Sequence, residues 1–137
     1  MSRVRVGMMA GLGLAAMACT AQAGDAAPGV SAERGKRQYL QCVACHDLKL
    51  GGPLKVGPNL YGVFGRKAAT VPGLALSGPL KNSGIVWTPE LMDKWLEKPS
   101  TVVPGTIMAF AGVVKPEDRA SLIAYMQREC GPSDGAQ

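Results

Sequence analysis

The sequence predicts an all-α domain in which a few helices are joined by long loops. Two segments, 88–96 and 116–125, each combine a proline at the first helical position with apolar residues at helical spacing. No strand-like alternation of apolar and polar residues persists, and glycine and proline interrupt the segments between the helices. Loops of this length are unusual in a small domain, and a cofactor that fills its centre would explain them.

The first 23 residues are predicted to be a cleaved signal peptide. Arg3 and Arg5 give a positive start, residues 6–18 are apolar and small, and Ala21-Gln22-Ala23 has the small-x-small pattern of a cleavage site. The apolar run is short for a membrane span, so no stable membrane insertion is expected, with an uncleaved anchor as the alternative. Such an export signal predicts a periplasmic protein.

The mature chain is predicted to be one domain, residues 31–131, between a flexible leader (24–30) and a disordered tail (132–137). Cleavage removes two arginines and leaves 13 basic against 10 acidic residues, a net charge of about +3. This mild balance, without any run of lysine or arginine, gives no reason to expect a nucleic acid partner.

The first half of the domain is predicted to contain more loop than helix. Ser31 is the predicted N-cap of a first helix that runs through Leu40 into a cysteine motif. Residues 47–58 are predicted as loop because glycine and proline break them. Residues 59–64 are predicted to form a short helix that ends at the next glycine, and residues 66–86 to be irregular.

The second half carries the two clearer helices. Thr88 is the predicted N-cap of a helix that has Pro89 at its first position and is stopped by Pro99. Pro116 opens the last helix in the same way, and Gly131-Pro132 ends it.

The cysteine motif identifies the cofactor. Cys42 and Cys45 are separated by two residues and followed at once by His46, which is the attachment pattern of c-type haem. Each thiol can add to a haem vinyl group, and the histidine then reaches the iron from the proximal side. The sequence therefore predicts one covalently attached haem c.

Zinc and a redox-active thiol pair are the alternatives for this motif. Zinc needs four ligands, and the predicted mature chain offers only Cys42, Cys45, His46 and Cys130, the last of them in a separate tail. A thioredoxin-type pair requires neighbouring strands, which are not predicted. Cys130 is then expected to be an unpaired or an intermolecular thiol.

The second iron ligand is predicted to be a methionine, because His46 is the only histidine in the sequence. Met92 and Met126 lie in predicted amphipathic helices, where methionine usually packs in the core. Met108 follows the loop segment Pro104-Gly105-Thr106-Ile107 and is favoured as the ligand, with packing as its alternative. Two filled axial positions leave no resting site for a substrate, so electron transfer is expected rather than catalysis.

In order and spacing, these features resemble the class I cytochromes c, close to the mitochondrial-like bacterial branch. The resemblance extends from Gly35 to Tyr125. The matching segments are Gly35 with Tyr39, Cys42–His46, Val56–Leu60, Gly62–Lys67, Asn82–Trp87, Pro104–Met108 and Leu122–Tyr125. It implies the cytochrome c fold, with long loops wrapped around a single haem.

The resemblance also implies roles for individual residues. The carbonyl of Pro58 would accept the ring proton of the proximal histidine, which fixes its tautomer. Arg66 and Trp87 would lie near the inner haem propionate and neutralise its charge. Thr106 would help to hold the loop of the distal methionine, and Gly35 would let the first and last helices cross closely.

Four positions depart from the family pattern. The family usually has a tyrosine where this chain has Leu76, an asparagine where it has Leu80 and a distal tyrosine where it has Trp95. Trp95 is expected to contact the haem. These changes predict a drier distal pocket. Ile107 replaces the lysine that usually precedes the methionine, which thins the basic ring around the haem edge.

The leading hypothesis is a monomeric periplasmic electron shuttle that is not an enzyme. Its donor and acceptor would be redox proteins, either membrane complexes or periplasmic enzymes, and basic side chains could steer an acidic partner. The basic residues considered for this are Lys36, Arg37, Lys49, Lys55, Lys67 and Lys115. The alternatives are a dedicated haem subunit of a dehydrogenase or oxidase complex, and a weak peroxidase or ligand sensor if Met108 dissociates.

Overall fold

The computed structural model of the chain describes residues 28–74 and 76–132. Within these residues the helices are α1 (Ala32–Tyr39), α2 (Gly78–Asn82), α3 (Pro89–Glu97), α4 (Pro99–Val102) and α5 (Pro116–Glu129). The only extended pairing in the same residues is an isolated antiparallel bridge between Lys67 and Val86. The all-α prediction is confirmed. The predicted signal peptide and most of the predicted leader and tail lie outside the described residues, so these boundaries stay predictions.

The helix starts follow the capping signals in the sequence. The hydroxyl of Ser31 accepts a hydrogen bond from the Arg34 amide at 3.1 Å, and that of Thr88 accepts one from the Leu91 amide at 3.2 Å. Pro116 stands in the first turn of α5, as predicted. These three helix starts are confirmed.

Helices α1 and α5 cross at Gly35, where their backbones come into contact. A Cβ atom at this position would lie 2.1 Å from the carbonyl oxygen of Ser121 and 2.6 Å from Cβ of Tyr125, so no side chain fits. The rings of Tyr39 and Tyr125 pack beside the crossing with their centroids 5.8 Å apart. The close crossing expected at Gly35 is confirmed.

The helix predicted at residues 59–64 is wrong. The segment forms turns instead, because Gly62 and Gly65 adopt positive φ angles of 61° and 85°, outside the right-handed helical region. Their amides also bond outside the segment: that of Gly62 donates to the Cys130 carbonyl at 2.6 Å, and that of Gly65 to the Trp87 carbonyl at 2.8 Å. The turns are thereby attached to the end of α5.

The prediction that residues 66–86 are irregular is wrong where α2 lies. The Ser77 hydroxyl accepts a hydrogen bond from the Leu80 amide at 3.4 Å, and Pro79 stands in the first turn of this helix. Pro99 likewise ends α3 as predicted but also opens α4. Proline is tolerated in a first turn because its missing N–H is not needed there.

Helix α1 ends at Tyr39, one residue earlier than predicted, with Leu40 as its C-cap. The cysteine motif that follows is a series of turns rather than a helical continuation. The amide of Cys42 donates to the Tyr39 carbonyl at 2.8 Å, and that of His46 donates to the Cys42 carbonyl at 2.9 Å. These turns place both cysteines and the histidine at one end of α1.

The apolar core is formed mainly by α3, α5 and the turns after residue 60, and it surrounds a cavity. Its largest buried members are Tyr39, Trp87, Met92, Trp95, Leu96, Leu122, Ile123 and Met126. Met92 and Met126 are thus packed in the core, as predicted. Within the described part of the chain, no helix has the length and apolar character needed to cross a membrane.

Candidate haem site

One cavity of about 270 Å³ lies between the cysteine motif and the loop that carries Met108. Protein interiors are close-packed, with few voids larger than a water molecule. A cavity of this size in the core therefore indicates a binding site for a group other than side chains. All nine site residues predicted from the sequence line it: Cys42, Cys45, His46, Pro58, Arg66, Trp87, Trp95, Thr106 and Met108. The fold therefore brings the whole predicted site together.

His46 is held on the proximal wall by its own neighbourhood in the sequence. Its Nδ1–H donates to the carbonyl of Pro58 at 2.8 Å, which leaves Nε2 as the lone-pair nitrogen. The Tyr39 hydroxyl and the Lys55 ammonium both donate to the His46 carbonyl at 3.1 Å. Burial lowers the pKa of His46, so its neutral, metal-binding form is favoured.

Gly57 is a proximal positioning residue that the sequence reasoning did not single out. A Cβ atom there would lie 2.4 Å from Cε1 of His46, so any side chain would push against the imidazole. Its amide also donates to the Cys45 carbonyl at 2.9 Å, which attaches residues 56–58 to the cysteine motif. The sequence signal is the glycine directly before Pro58, which belongs to the matching segment Val56–Leu60 and has no separate role assigned to it there.

Met108 lines the same cavity from the helix-free segment between α4 and α5. Its amide donates to the Thr106 hydroxyl at 3.3 Å, and its carbonyl accepts from the Phe110 amide at 3.0 Å. The Thr106 amide in turn donates to the Val103 carbonyl at 3.1 Å. Thr106 therefore supports the backbone of Met108, in keeping with the role that the resemblance implies.

The far end of this loop is fastened to α3 by Gly112 and Arg119. Gly112 has a φ of 105°, and a Cβ atom there would lie 2.0 Å from the carbonyl oxygen of Glu97. Arg119 is buried, and its guanidinium donates to the carbonyls of Val113 and Val114 at 3.0 and 2.9 Å and to Asp93 at 2.8 Å. The sequence offered no distinctive signal for this arrangement, because Arg119 is one of two arginines in α5 and follows directly on its acidic first turn.

The distal wall is apolar where the family pattern has polar groups. Leu76 and Leu80 both line the cavity, together with Trp95. Trp95 is buried and meets Trp87 edge-on, with ring centroids 5.2 Å apart. These contacts support the prediction of a drier distal pocket.

Arg66 reaches the cavity with its guanidinium already anchored. Its two terminal nitrogens donate to the carbonyls of Tyr61 and Asn59 at 2.8 and 2.9 Å. Burial lowers the pKa of Arg66, yet arginine stays protonated in proteins. A fixed positive charge at the cavity wall suits a cofactor that carries carboxylates.

The alternatives to haem find no support in the geometry. No group of three or more His, Cys, Asp and Glu side chains is placed to bind a metal ion within residues 28–74 and 76–132. Burial raises the pKa of the Cys42 thiol to about 11, the opposite of the lowered pKa that a redox-active pair requires.

Cys130 does not belong to a separate tail. It is a fully buried C-cap of α5, and its carbonyl accepts from the Gly62 amide. Since a thiol without exposed surface cannot reach another chain, the expectation of an intermolecular disulfide is wrong, and Cys130 is a free cysteine in the core.

The residues present fit one covalently attached haem c. Cys42 and Cys45 offer two thiols at the cavity, and the neutral imidazole of His46 stands beside them, oriented by Pro58. Apolar side chains form most of the remaining wall, which suits a flat, largely apolar macrocycle.

Comparison with known proteins agrees with this site. A family model described as cytochrome c matches residues 32–128. Cytochrome c of Euglena viridis is 48% identical over 97 residues, which cover 70% of this chain and 94% of that protein. Cytochrome c of Trypanosoma brucei brucei is 52% identical over 77 residues, covering 56% and 83%. Cytochrome c2 of Blastochloris viridis is 42% identical over 115 residues, covering 84% and 86%.

Proposed function

The chain belongs to the cytochrome c family, and from that premise we propose that it carries single electrons between redox proteins in the periplasm, with His46 and Met108 as the two iron ligands. When bound, the haem supplies the chemistry: its iron takes up and releases one electron. The periplasmic location is supported by the predicted signal peptide at residues 1–23.

The observation that supports the proposal is that His46 and Met108, which are far apart in the sequence, line the same cavity. The bond from His46 to Pro58 keeps Nε2 free to bind iron, and Met108 offers the thioether that lines the cavity from the distal loop. An iron held by His46 and Met108 would have a higher reduction potential than one held by two nitrogen ligands, and no position would remain for a substrate. Such a site transfers electrons without a vacant position for a substrate, so the protein is not an enzyme.

The other wall residues set the surroundings of the iron. Leu76, Leu80 and Trp95 exclude water from the distal side, so little solvent has to rearrange when the charge of the iron changes. Arg66 and Trp87 would hold the carboxylates of the cofactor, with Arg66 kept in place by two backbone carbonyls. The chain thus binds the haem, orients it and shields it from water. These are the contributions that a protein makes to the chemistry of its cofactor.

The test is the pair Met108→Leu and Met92→Leu in the ferric holoprotein. Both changes conserve volume, but of these two side chains Met108 lines the cavity and Met92 does not. We expect Met108→Leu to abolish the near-infrared methionine-to-iron band and to lower the reduction potential, and Met92→Leu to retain both. A band that persists in Met108→Leu would show that another sulfur binds the iron and would overturn the ligand assignment.

A further inference from the structure

Three exposed apolar side chains flank the mouth of the cavity. Val56 and Ile107 line it on its proximal and distal sides, yet they are 85% and 68% exposed. Val43 is 44% exposed, and its carbonyl accepts a hydrogen bond at 2.8 Å from the ammonium of Lys55, the residue directly before Val56. We call Val43, Val56 and Ile107 the apolar rim.

The charge of Lys55, the residue directly before Val56, is paired within the molecule. The ammonium of Lys55 is turned back onto the backbone and lies 3.4 Å from the carboxylate of Asp47. Lys67 is the only lysine among the lining residues, and the lining contains no aspartate or glutamate. Lys55 is one of the residues expected to steer an acidic partner. Its ammonium is already bonded to groups of this chain, so it is less available to a partner.

Single exposed apolar residues are ordinary, but a group of them around a functional opening marks an interaction site. A charged partner surface placed on Val56 and Ile107 would lose its hydration and gain no ion pair. An apolar surface placed there removes apolar area from water on both partners. The composition of the apolar rim is thus complementary to an apolar face.

We propose that the apolar rim is the docking surface for a redox partner whose own electron-entry site is surrounded by apolar residues. This deepens the proposed function and rests on it, since the partner must approach the cavity mouth. Contact at the rim is made by hydrophobic packing, and lysines outside it contribute only long-range attraction.

The test uses the holoprotein on gold electrodes, because the chemistry of an electrode surface can be chosen. Cyclic voltammetry is recorded on a methyl-terminated and on a carboxylate-terminated alkanethiol monolayer. We expect the wild type to give the larger electroactive coverage on the methyl surface, and to keep it at high ionic strength. The double variant Val56→Lys, Ile107→Lys should reduce the methyl-to-carboxylate coverage ratio by about tenfold or more.

Val114→Lys is the matched control. Val114 is 88% exposed but does not line the cavity, so its change adds the same kind of charge away from the rim. An equal effect of Val114→Lys, or a wild type that couples better to the carboxylate surface, would overturn the docking proposal. The reduction potential and the methionine band are measured in solution alongside. A wild-type holoprotein that shows no methionine band and no reversible reduction in solution would instead count against the proposed function itself.

Discussion

The two sides of the haem cavity are built in different ways. The proximal side is local, since the cysteine motif and the Gly57-Pro58 segment that orients His46 all lie within residues 42–58. The distal side is a loop without regular structure that is fastened to α3 and α5 through Gly112 and Arg119. Of the two proposed iron ligands, His46 thus depends on short-range bonds and Met108 on tertiary contacts. We expect the distal ligand to be lost first when the fold is weakened.

The largest effect is expected from Gly112→Ala. The new Cβ would overlap the Glu97 carbonyl at 2.0 Å, and the residue would be strained at a φ of 105°, so the loop must leave α3. The free energy of unfolding should fall by about 3 kcal/mol or more, and the methionine band should be lost at neutral pH. Denaturant unfolding and near-infrared spectra measure the two.

Gly84→Ala is the control for this change. Gly84 also has a positive φ, 68°, but nothing lies within 4 Å of a Cβ there. Its substitution should cost only the conformational penalty of about 1 kcal/mol and leave the band intact. Equal loss in both variants would mean that the contact with α3 does not hold the distal loop.

Gly57→Ala tests the proximal side. The Cβ would lie 2.4 Å from the His46 ring, which must turn away from Pro58 and lose its hydrogen bond. We expect about 2 kcal/mol of destabilisation and a higher reduction potential, because the histidine becomes less basic. The methionine band should persist. Gly78→Ala, with open space around its Cβ, should leave the potential unchanged, and loss of the band in Gly57→Ala would break the separation of the two sides.

Arg119→Lys should loosen the distal loop without unfolding the domain. Lysine keeps the charge but cannot bond two carbonyls and Asp93 at once, so we expect a loss of about 1–2 kcal/mol. Hydrogen exchange should accelerate at the Val113 amide, which bonds to Leu96, and not at the Gly57 amide. Arg128→Lys, at an exposed ion pair, serves as the control. Equal acceleration at both amides would show that the two sides open together.

The smallest effect concerns alkaline pH. Burial raises the pKa of the Cys130 thiol to about 12, whereas in the unfolded chain it ionises near about 8.5. Above that pH the unfolded state loses a proton that the folded state keeps, so stability falls as the pH rises. Cys130→Ala should remove about 1 kcal/mol of this fall between pH 8 and pH 9.5. Denaturant unfolding at both pH values measures it, and parallel pH profiles for the two proteins would contradict it.

Local signals predicted much of this molecule. The hydroxyls of Ser31 and Thr88 bond to amides only three residues further along the chain, and the cysteine motif is a single short segment. Features this local can be identified from the sequence alone. Proline was harder, because Pro79 and Pro99 open helices where their position had suggested only a break. Residues 59–64 bond to Cys130 and Trp87, and no local pattern contains such partners.

The site followed the same division. The family resemblance predicted the hydrogen bond between His46 and Pro58, because both residues belong to the matching motifs. Gly112 and Arg119 were not, since each acts on α3 from a distant part of the sequence. Side chains that fasten a loop are recognised only when the helices on both sides of it are in place.

The crossing of α1 and α5 at Gly35 affects the order in which the haem is attached and the fold is completed. The cysteines lie near the start of the folded domain, while the helix that closes against Gly35 is its last element. A chain that becomes available from its N-terminus onward therefore has its attachment thiols ready before it has the helix that completes the fold. The haem can therefore be attached covalently before the fold encloses it. Because Gly35 has no side chain, α5 can then pack against α1 without a steric clash.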